Sequence, residues 1–308
     1  MQQNKRAEFA LFSPQAGMSY RALVERAALL EKLDYHSLWL VDHMWTRAMP
    51  DLDHLECMAA MSALAVQTSA LRIGTLVLCQ SYRNPALLAK SLCTIDQISN
   101  GRLEIGLGAG WMEEEYRAYG YEFPPIAVRL KQMEETLQIL KAMFSEKRAS
   151  FEGRYHRVVD APNNPKPVQK PHPPITIGGS GEKVMLRLVA RYADRWNLPA
   201  GYRSFEDKLL ALKGHCQTVG RDLDTIEISE QLLVCIGRSE EEVEQKWKLA
   251  KGLKPFVYTG IKGTPAELIE ALNERVRKGI TMFTIFFSDF APPDTIELFA
   301  REVMPAFA

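Results

Sequence analysis

The sequence has no C-x-x-C pair, no H-E-x-x-H and no H-x-H at the end of any strand, which removes the usual support for a zinc site and for a zinc hydrolase above all. No apolar run approaches the about 18 residues of a membrane span, and the opening MQQNKRAEFALF lacks the apolar core of a signal peptide. A soluble cytoplasmic protein with no membrane partner is therefore expected. Charge of one sign is missing too: 38 Lys+Arg face 38 Asp+Glu, leaving no excess to recruit nucleic acid or an anionic surface. Cysteine is scarce and scattered (Cys57, Cys79, Cys93, Cys216, Cys235), which fits reduced, buried thiols rather than a disulfide framework.

What the sequence does contain is alternation. Apolar runs at Glu8–Phe12, Ser37–Val41, Leu71–Leu78, Leu103–Leu107, Ile175–Ile177, Asp194–Asn197, Ile226–Ile236 and Thr281–Phe287 read as eight strands. Between them lie periodic helical segments with start signals: Ser19, Asn84-Pro85, Ser204, Ser239-x-x-Glu242, Thr264-Pro265-x-Glu267 and Asp294-x-x-Glu297. The helix over Arg129–Phe144 carries Leu130, Met133, Leu137, Leu140 and Phe144 on one face. From about 148 to 174 the alternation breaks. FEGRYHRV reads as an irregular hairpin, and six prolines follow between Pro162 and Pro174. Because strands and helices resume directly afterwards, this is an insertion before the fifth strand. The pattern predicts an α/β protein, a (β/α)8 TIM barrel forming one domain over residues 1–308. A two-domain doubly wound protein is the alternative, with only the proline-rich stretch to divide it.

Barrels of this kind carry their function at the C-terminal strand ends. The fifth strand runs into Gly178-Gly179-Ser180-Gly181 and then a helix with Met185, Leu188, Val189, Tyr192 and Ala193 on one face. Backbone N–H groups gathered at a glycine turn before a helix suit a phosphate; a tight turn with nothing bound is the plainer reading. Asp42-His43 ends the second strand and pairs the only strand-end histidine with a carboxylate, suited to touching a cofactor or moving a proton. His36, His54, His156, His172 and His215 fall in loops, helices or the insertion and read as structural or solvent-facing. Gly106-x-Gly108-x-Gly110 ends the fourth strand with the wrong spacing for a dinucleotide fingerprint. Gly108-Ala109-Gly110 reads better as a small-residue floor that a flat ring can approach. Glu113, Glu114 and Glu115, at the next helix start, read as complements to its dipole. Thr75, Leu76 and Val77 end the third strand beneath the same mouth.

The stretches SLWLVDHM (37–44), LRIGTLVLCQSYRNPALLAKSLCTIDQISNGRLEIGLGAGWMEEEY (71–116), PPITIGGSGEKVMLRLVARYADRWN (173–197) and KGTPAELIEALNERVRKGI (262–280) resemble the luciferase-like monooxygenase superfamily, in its branch of deazaflavin (coenzyme F420)-dependent oxidoreductases. The resemblance implies a (β/α)8 barrel with the cofactor ring across the strand ends. Asp42 and His43 would face the ring, Gly108, Ala109 and Gly110 would pack near it, and Gly178, Gly179, Ser180 and Gly181 would hold its phosphate. It implies a non-proline cis peptide near Leu76–Val77 against the ring, and a homodimer. The branch's sugar-phosphate dehydrogenase has a basic residue soon after the sixth strand, where this chain offers only Arg203.

Three functions remain open on these grounds. The first is hydride transfer between coenzyme F420 and a small organic substrate, with His43 as the catalytic residue. The second keeps the fold but takes FMN and activates oxygen, and the third is a non-catalytic cofactor-binding protein.

Overall fold

The computed structural model describes residues 7–47, 49–199, 201–202, 204–250 and 259–308. Its strands are β1 (Glu8–Phe12), β2 (Ser37–Leu40), β3 (Arg72–Thr75), β4 (Leu78–Cys79), β5 (Leu103–Gly108), β6 (Ala149–Glu152), β7 (Arg157–Ala161), β8 (Ile175–Gly178), β9 (Arg195–Leu198), β10 (Glu227–Ile236), β11 (Ile261–Gly263) and β12 (Met282–Phe287). The helices are α1 (Tyr20–Lys32), α2 (Cys57–Gln67), α3 (Pro85–Ile98), α4 (Glu113–Ala118), α5 (Ile126–Ser145), α6 (Met185–Tyr192), α7 (Phe205–Val219), α8 (Glu240–Leu249), α9 (Pro265–Arg277) and α10 (Pro293–Glu302).

Eight of the strands close a parallel ring in the order β1-β2-β3-β5-β8-β9-β10-β12, and β12 returns to β1 through Leu11↔Ile285. The eight strands are those the apolar runs predict. Parallel strands need crossovers, and the helices that supply them cover the barrel's outside. Strand side chains alternate accordingly. Phe9, Leu11, Leu38, Leu40, Ile105, Ile177 and Ile285 join the core beneath the helices, whereas Ala10, Phe12, Trp39, Val41, Leu233, Met282 and Phe286 fill the interior. Each such fully buried large side chain is worth about 1.5–3 kcal/mol relative to exposure. Helix starts are fixed locally. Asn84 Oδ1 accepts from the Ala86 N–H at 2.9 Å ahead of Pro85, and Thr264 with Glu267 forms a capping box. At α8 only half of the expected box forms, because Glu242 accepts from the Arg238 N–H instead of that of Ser239.

The insertion contains the antiparallel hairpin β6–β7, held down by Glu135 of α5, which accepts from the N–H groups of Arg154, Tyr155 and His156. All five cysteines are buried and unpaired. Among the described residues no helix is long and apolar enough to cross a membrane.

The bottom of the barrel is closed by charge. Glu104, fully buried, takes Arg72 on one oxygen (2.5 Å) and Arg195 on the other (2.8 Å), and Arg195 also holds Glu227 at 2.5 Å. The Arg195 guanidinium lies 5.9 Å from the ring centroid of Trp39, which crosses the interior over Gly74; a Cβ there would meet that indole at 3.0 Å. Burial pushes Glu104's pKa up, but Arg195 and Arg72 outweigh it and hold the carboxyl below its usual range. Burial also lowers His36, hydrogen-bonded to Ser37 and beside Glu8, to about 4.

Glu104→Ala takes the shared carboxylate from the buried Arg195, which keeps Glu227, and from the half-buried Arg72, and should cost about 3 kcal/mol in urea unfolding. Both folded-state shifts are downward, so stability falls with falling pH. The His36 part is complete above its ordinary 6.5 and is lost down to about 4; the Glu104 part is lost below 4.5. His36→Asn should flatten the upper window of a pH–stability profile. An unchanged profile would remove His36 from this account.

Candidate active site

Asp42 and His43 leave the end of β2 in different directions. Asp42 is buried and spends both oxygens on a bidentate pair with Arg83 (2.7 and 2.8 Å), while Oδ2 also accepts from the Cys79 N–H at 2.8 Å. Arg83 continues to Glu56 at 2.7 Å, whose other oxygen caps α2 through Ala59. Burial raises the Asp42 pKa and Arg83 opposes it. Asp42 thus ties the end of β2 to β4 and α2, and His43 alone is left for the mouth.

His43 Nδ1 lies 2.8 Å from Glu115 Oε2, and the side chain is about one-third exposed. Glu115 is fully buried. It also accepts from the Tyr82 hydroxyl at 2.6 Å and from the Met44 N–H at 2.5 Å. Burial pushes the Glu115 pKa up, but the bonds from His43, Tyr82 and Met44 prevail and hold the carboxyl below its usual range. Burial, then Glu115 itself, drives the Tyr82 hydroxyl far upward, so it remains a donor. A carboxylate can only accept, so Nδ1 carries the proton toward Glu115 and the ring presents Nε2 outward. The exposed Trp111 stands edge-on to that ring, centroids 5.6 Å apart.

Glu115 and Tyr82 were missed by the sequence reading, which took all three glutamates for dipole complements. Glu113 and Glu114 are indeed exposed, paired with Arg117 and Arg47. The available signal was spacing: Met112, Glu115 and Tyr116 are one buried face at i, i+3 and i+4.

The third strand, read as continuous over Leu71–Leu78, is interrupted. Between β3 and β4 the Leu76–Val77 peptide is cis, and the Leu76 N–H donates to the Leu40 carbonyl at 2.8 Å. Thr75 is buried and its hydroxyl donates to the Gly106 carbonyl. The neighbouring glycines explain how this bulge fits. A Cβ on Gly106 would lie 1.8 Å from the Thr75 oxygen, and one on Gly108 would lie 2.4 Å from a Val77 methyl. One on Gly178 would meet another Val77 methyl at 3.1 Å. At Gly110, with φ +74, it would lie 1.9 Å from the Tyr116 hydroxyl. The Cβ positions of Gly108 and Gly110 are therefore taken by Val77 and Tyr116, and Ala109 is buried. Leu76 and Val77 are half-buried at the C-terminal strand ends, and Leu76 also packs on the interior cluster.

The glycine turn after β8 also differs from expectation. The helix begins at Met185, three turn residues beyond Gly181. Gly179, with φ +135, gives its N–H to the Asn197 carbonyl at 3.2 Å, and its carbonyl accepts from Trp196 Nε1 at 2.8 Å. The Ser180 and Gly181 N–H groups have no protein acceptor among the described residues. An anion held here would use those two amides. Arg203 lies outside the described residues.

Glu115→Ala leaves the Tyr82 hydroxyl and the Met44 N–H without an acceptor. The expected cost is about 3 kcal/mol in urea unfolding, and Glu115→Gln should recover part of it by keeping an acceptor. Because the folded-state pKa is lowered, this contribution is complete above the ordinary 4.5 and is lost on acidification. An Ala variant as stable as the parent would contradict the buried hub.

A family model described as luciferase-like monooxygenase matches residues 6–278. Among curated relatives, an F420-dependent glucose-6-phosphate dehydrogenase of Amycolatopsis mediterranei is 27% identical over 227 residues, spanning 72% of this chain and 67% of its own. An FMNH2-dependent dimethylsulfone monooxygenase of Pseudomonas putida is 27% identical over 285 residues, spanning 81% and 78%. In solved structures, the chain superposes on an F420-dependent secondary alcohol dehydrogenase bound to an F420-acetone adduct, with TM-score 0.84 at 20% identity and 98% and 99% coverage. A monooxygenase of Streptomyces bottropensis gives 0.81 at 20% identity, with 98% and 100% coverage. With the family model covering most of the chain and the closed eight-stranded barrel beneath it, the chain belongs to the luciferase-like monooxygenase family.

Proposed function

We propose that this chain is a coenzyme F420-dependent oxidoreductase acting on a small organic substrate, with His43 as its catalytic residue. The observation that carries the reading is the mouth itself. A histidine with an outward Nε2, fixed by a buried carboxylate, stands at the strand ends that also carry the Leu76–Val77 bulge. The residues present suit such a cofactor. Leu76 and Val77 offer an apolar backing for a ring, and the Ser180 and Gly181 amides offer unclaimed donors for a phosphate. When bound, the deazaflavin would supply two-electron chemistry at its ring.

The protein's own part is proton handling and positioning. Nε2 of His43 takes a proton from a substrate hydroxyl, or returns one to a carbonyl. Glu115 keeps the ring in that tautomer and orientation and steadies the positive charge it acquires. Tyr82 and the Met44 N–H fix Glu115 in turn, and Trp111 walls the substrate side of the imidazole.

The second reading is FMN-dependent oxygenation, favoured by the longer span shared with the dimethylsulfone monooxygenase. A phosphate at Ser180-Gly181 suits either cofactor. The expected single-domain chain, homodimer and cytoplasmic location belong to the same proposal.

Titrating the full chain with coenzyme F420 and with FMN, followed by fluorescence quenching, should give tighter binding of the deazaflavin; tighter FMN binding would favour the second reading. His43→Ala should keep cofactor affinity within about 1–2 kcal/mol and cut turnover about 100-fold or more. Unchanged turnover would take the catalytic role away. The phosphate assignment is best tested at Gly181, where a Cβ meets nothing nearer than Met185 Cβ at 3.6 Å. Gly181→Val should weaken cofactor binding about ten-fold or more without unfolding the chain. Equal affinity would dispose of that assignment.

A further inference from the structure

We propose that His54 is a second substrate-binding residue, which with His43 grips one neutral oxygen function, an alcohol hydroxyl or a carbonyl. This deepens the oxidoreductase reading above and rests on it.

Both ring nitrogens of His54 are buried, and neither has a hydrogen-bond partner among the described residues. Buried polar side-chain atoms are nearly always bonded, so an imidazole orphaned at both nitrogens is unusual. It lies on the same loop as His43, between β2 and α2, and is anchored by a backbone bridge from Ala16 to His54. The ring is within electrostatic reach of the His43–Glu115 pair: burial first, then His43, lowers its pKa, and Glu115 raises it. The loop holds another orphan, the buried Nε1 of Trp45, which can only donate.

The charges around these groups decide the ligand class. Burial and His43 keep His54 neutral at neutral pH, with one donor and one acceptor. The nearby cations are spent: Arg47 is paired with Glu114, and Arg83 with Asp42 and Glu56. Glu115 adds a buried negative charge just behind His43. Such surroundings repel a phosphate ester or sulfonate and accept a neutral oxygen, whose lone pairs and proton match an imidazole N–H and an imidazole nitrogen.

The test uses imidazole-nitrogen NMR on the full chain, with and without coenzyme F420, and His54→Gln identifies the His54 signals. Added cyclohexanol should move the His54 and His43 signals with one midpoint, while inorganic phosphate moves neither. His54→Ala should raise that midpoint, read at His43, by about ten-fold, and His54→Gln, which keeps a hydrogen-bonding group, should stay within about three-fold. Both variants should bind F420 within about two-fold of the parent. His54 signals unmoved by cyclohexanol, an unchanged midpoint in the Ala variant, or a shift on adding phosphate would each overturn the proposal. So would loss of F420 affinity in the Ala variant, which would make His54 a cofactor contact. A parent chain that binds neither F420 nor FMN would instead sink the oxidoreductase reading, and the cofactor-free titration would still judge His54.

Discussion

Glu115 sits where water cannot reach it, and a carboxylate in such a place is tolerated only when several donors meet it. Three do: an imidazole from the loop after β2, a hydroxyl from the turn before α3, and the backbone N–H of Met44. They come from two crossovers, since His43 and Met44 share the loop after β2 and Tyr82 precedes α3, so one side chain of α4 ties both loops to its own segment at the mouth. The tautomer of His43, its outward nitrogen and its edge contact with Trp111 all follow from that arrangement.

A second constraint is steric. Val77 occupies the volume that side chains on Gly108 and Gly178 would fill, and Thr75 closes on Gly106. Three glycines on two adjacent strands thus shape one bulge, which puts Leu76 and Val77 at the mouth. The two ends of the barrel contrast in charge. At the bottom, Arg72, Glu104, Arg195 and Glu227 are matched with one another and cross-link the strands. Near the top, the loop after β2 keeps the ring nitrogens of His54 and Trp45 without hydrogen-bond partners among the described residues. The first arrangement serves stability, and the second suits ligands.

Much of the barrel was legible because its strands are apolar runs bounded by strong helix caps, such as Asn84-Pro85 and Thr264 with Glu267. The bulge was not. LRIGTLVL reads as one strand, since leucine and valine suit an extended segment and a kinked one equally well. Gly74, Gly106 and Gly108 inside strands were the hint of close packing; of these, only Gly108 was read, with Ala109 and Gly110, as a floor for a ring. His43 was legible from its place at a strand end. Its partner was hidden in EEE, where three identical residues differ only in which way the helix turns them. His54 was set aside because a histidine in a polar loop carries no periodic signal; only its buried, unbonded nitrogens distinguish it. Asp42 stood next to His43 in sequence, but its two oxygens went to Arg83, whose position depends on the chain folding back 41 residues later.

A crystal structure of the full chain with coenzyme F420 would test the account most directly. The account requires the deazaflavin ring to lie against Leu76 and Val77 within reach of His43, with its phosphate on the Ser180 and Gly181 amides. A ring bound elsewhere, or one at the mouth with His43 turned away from Glu115 and from the ligand, would contradict it.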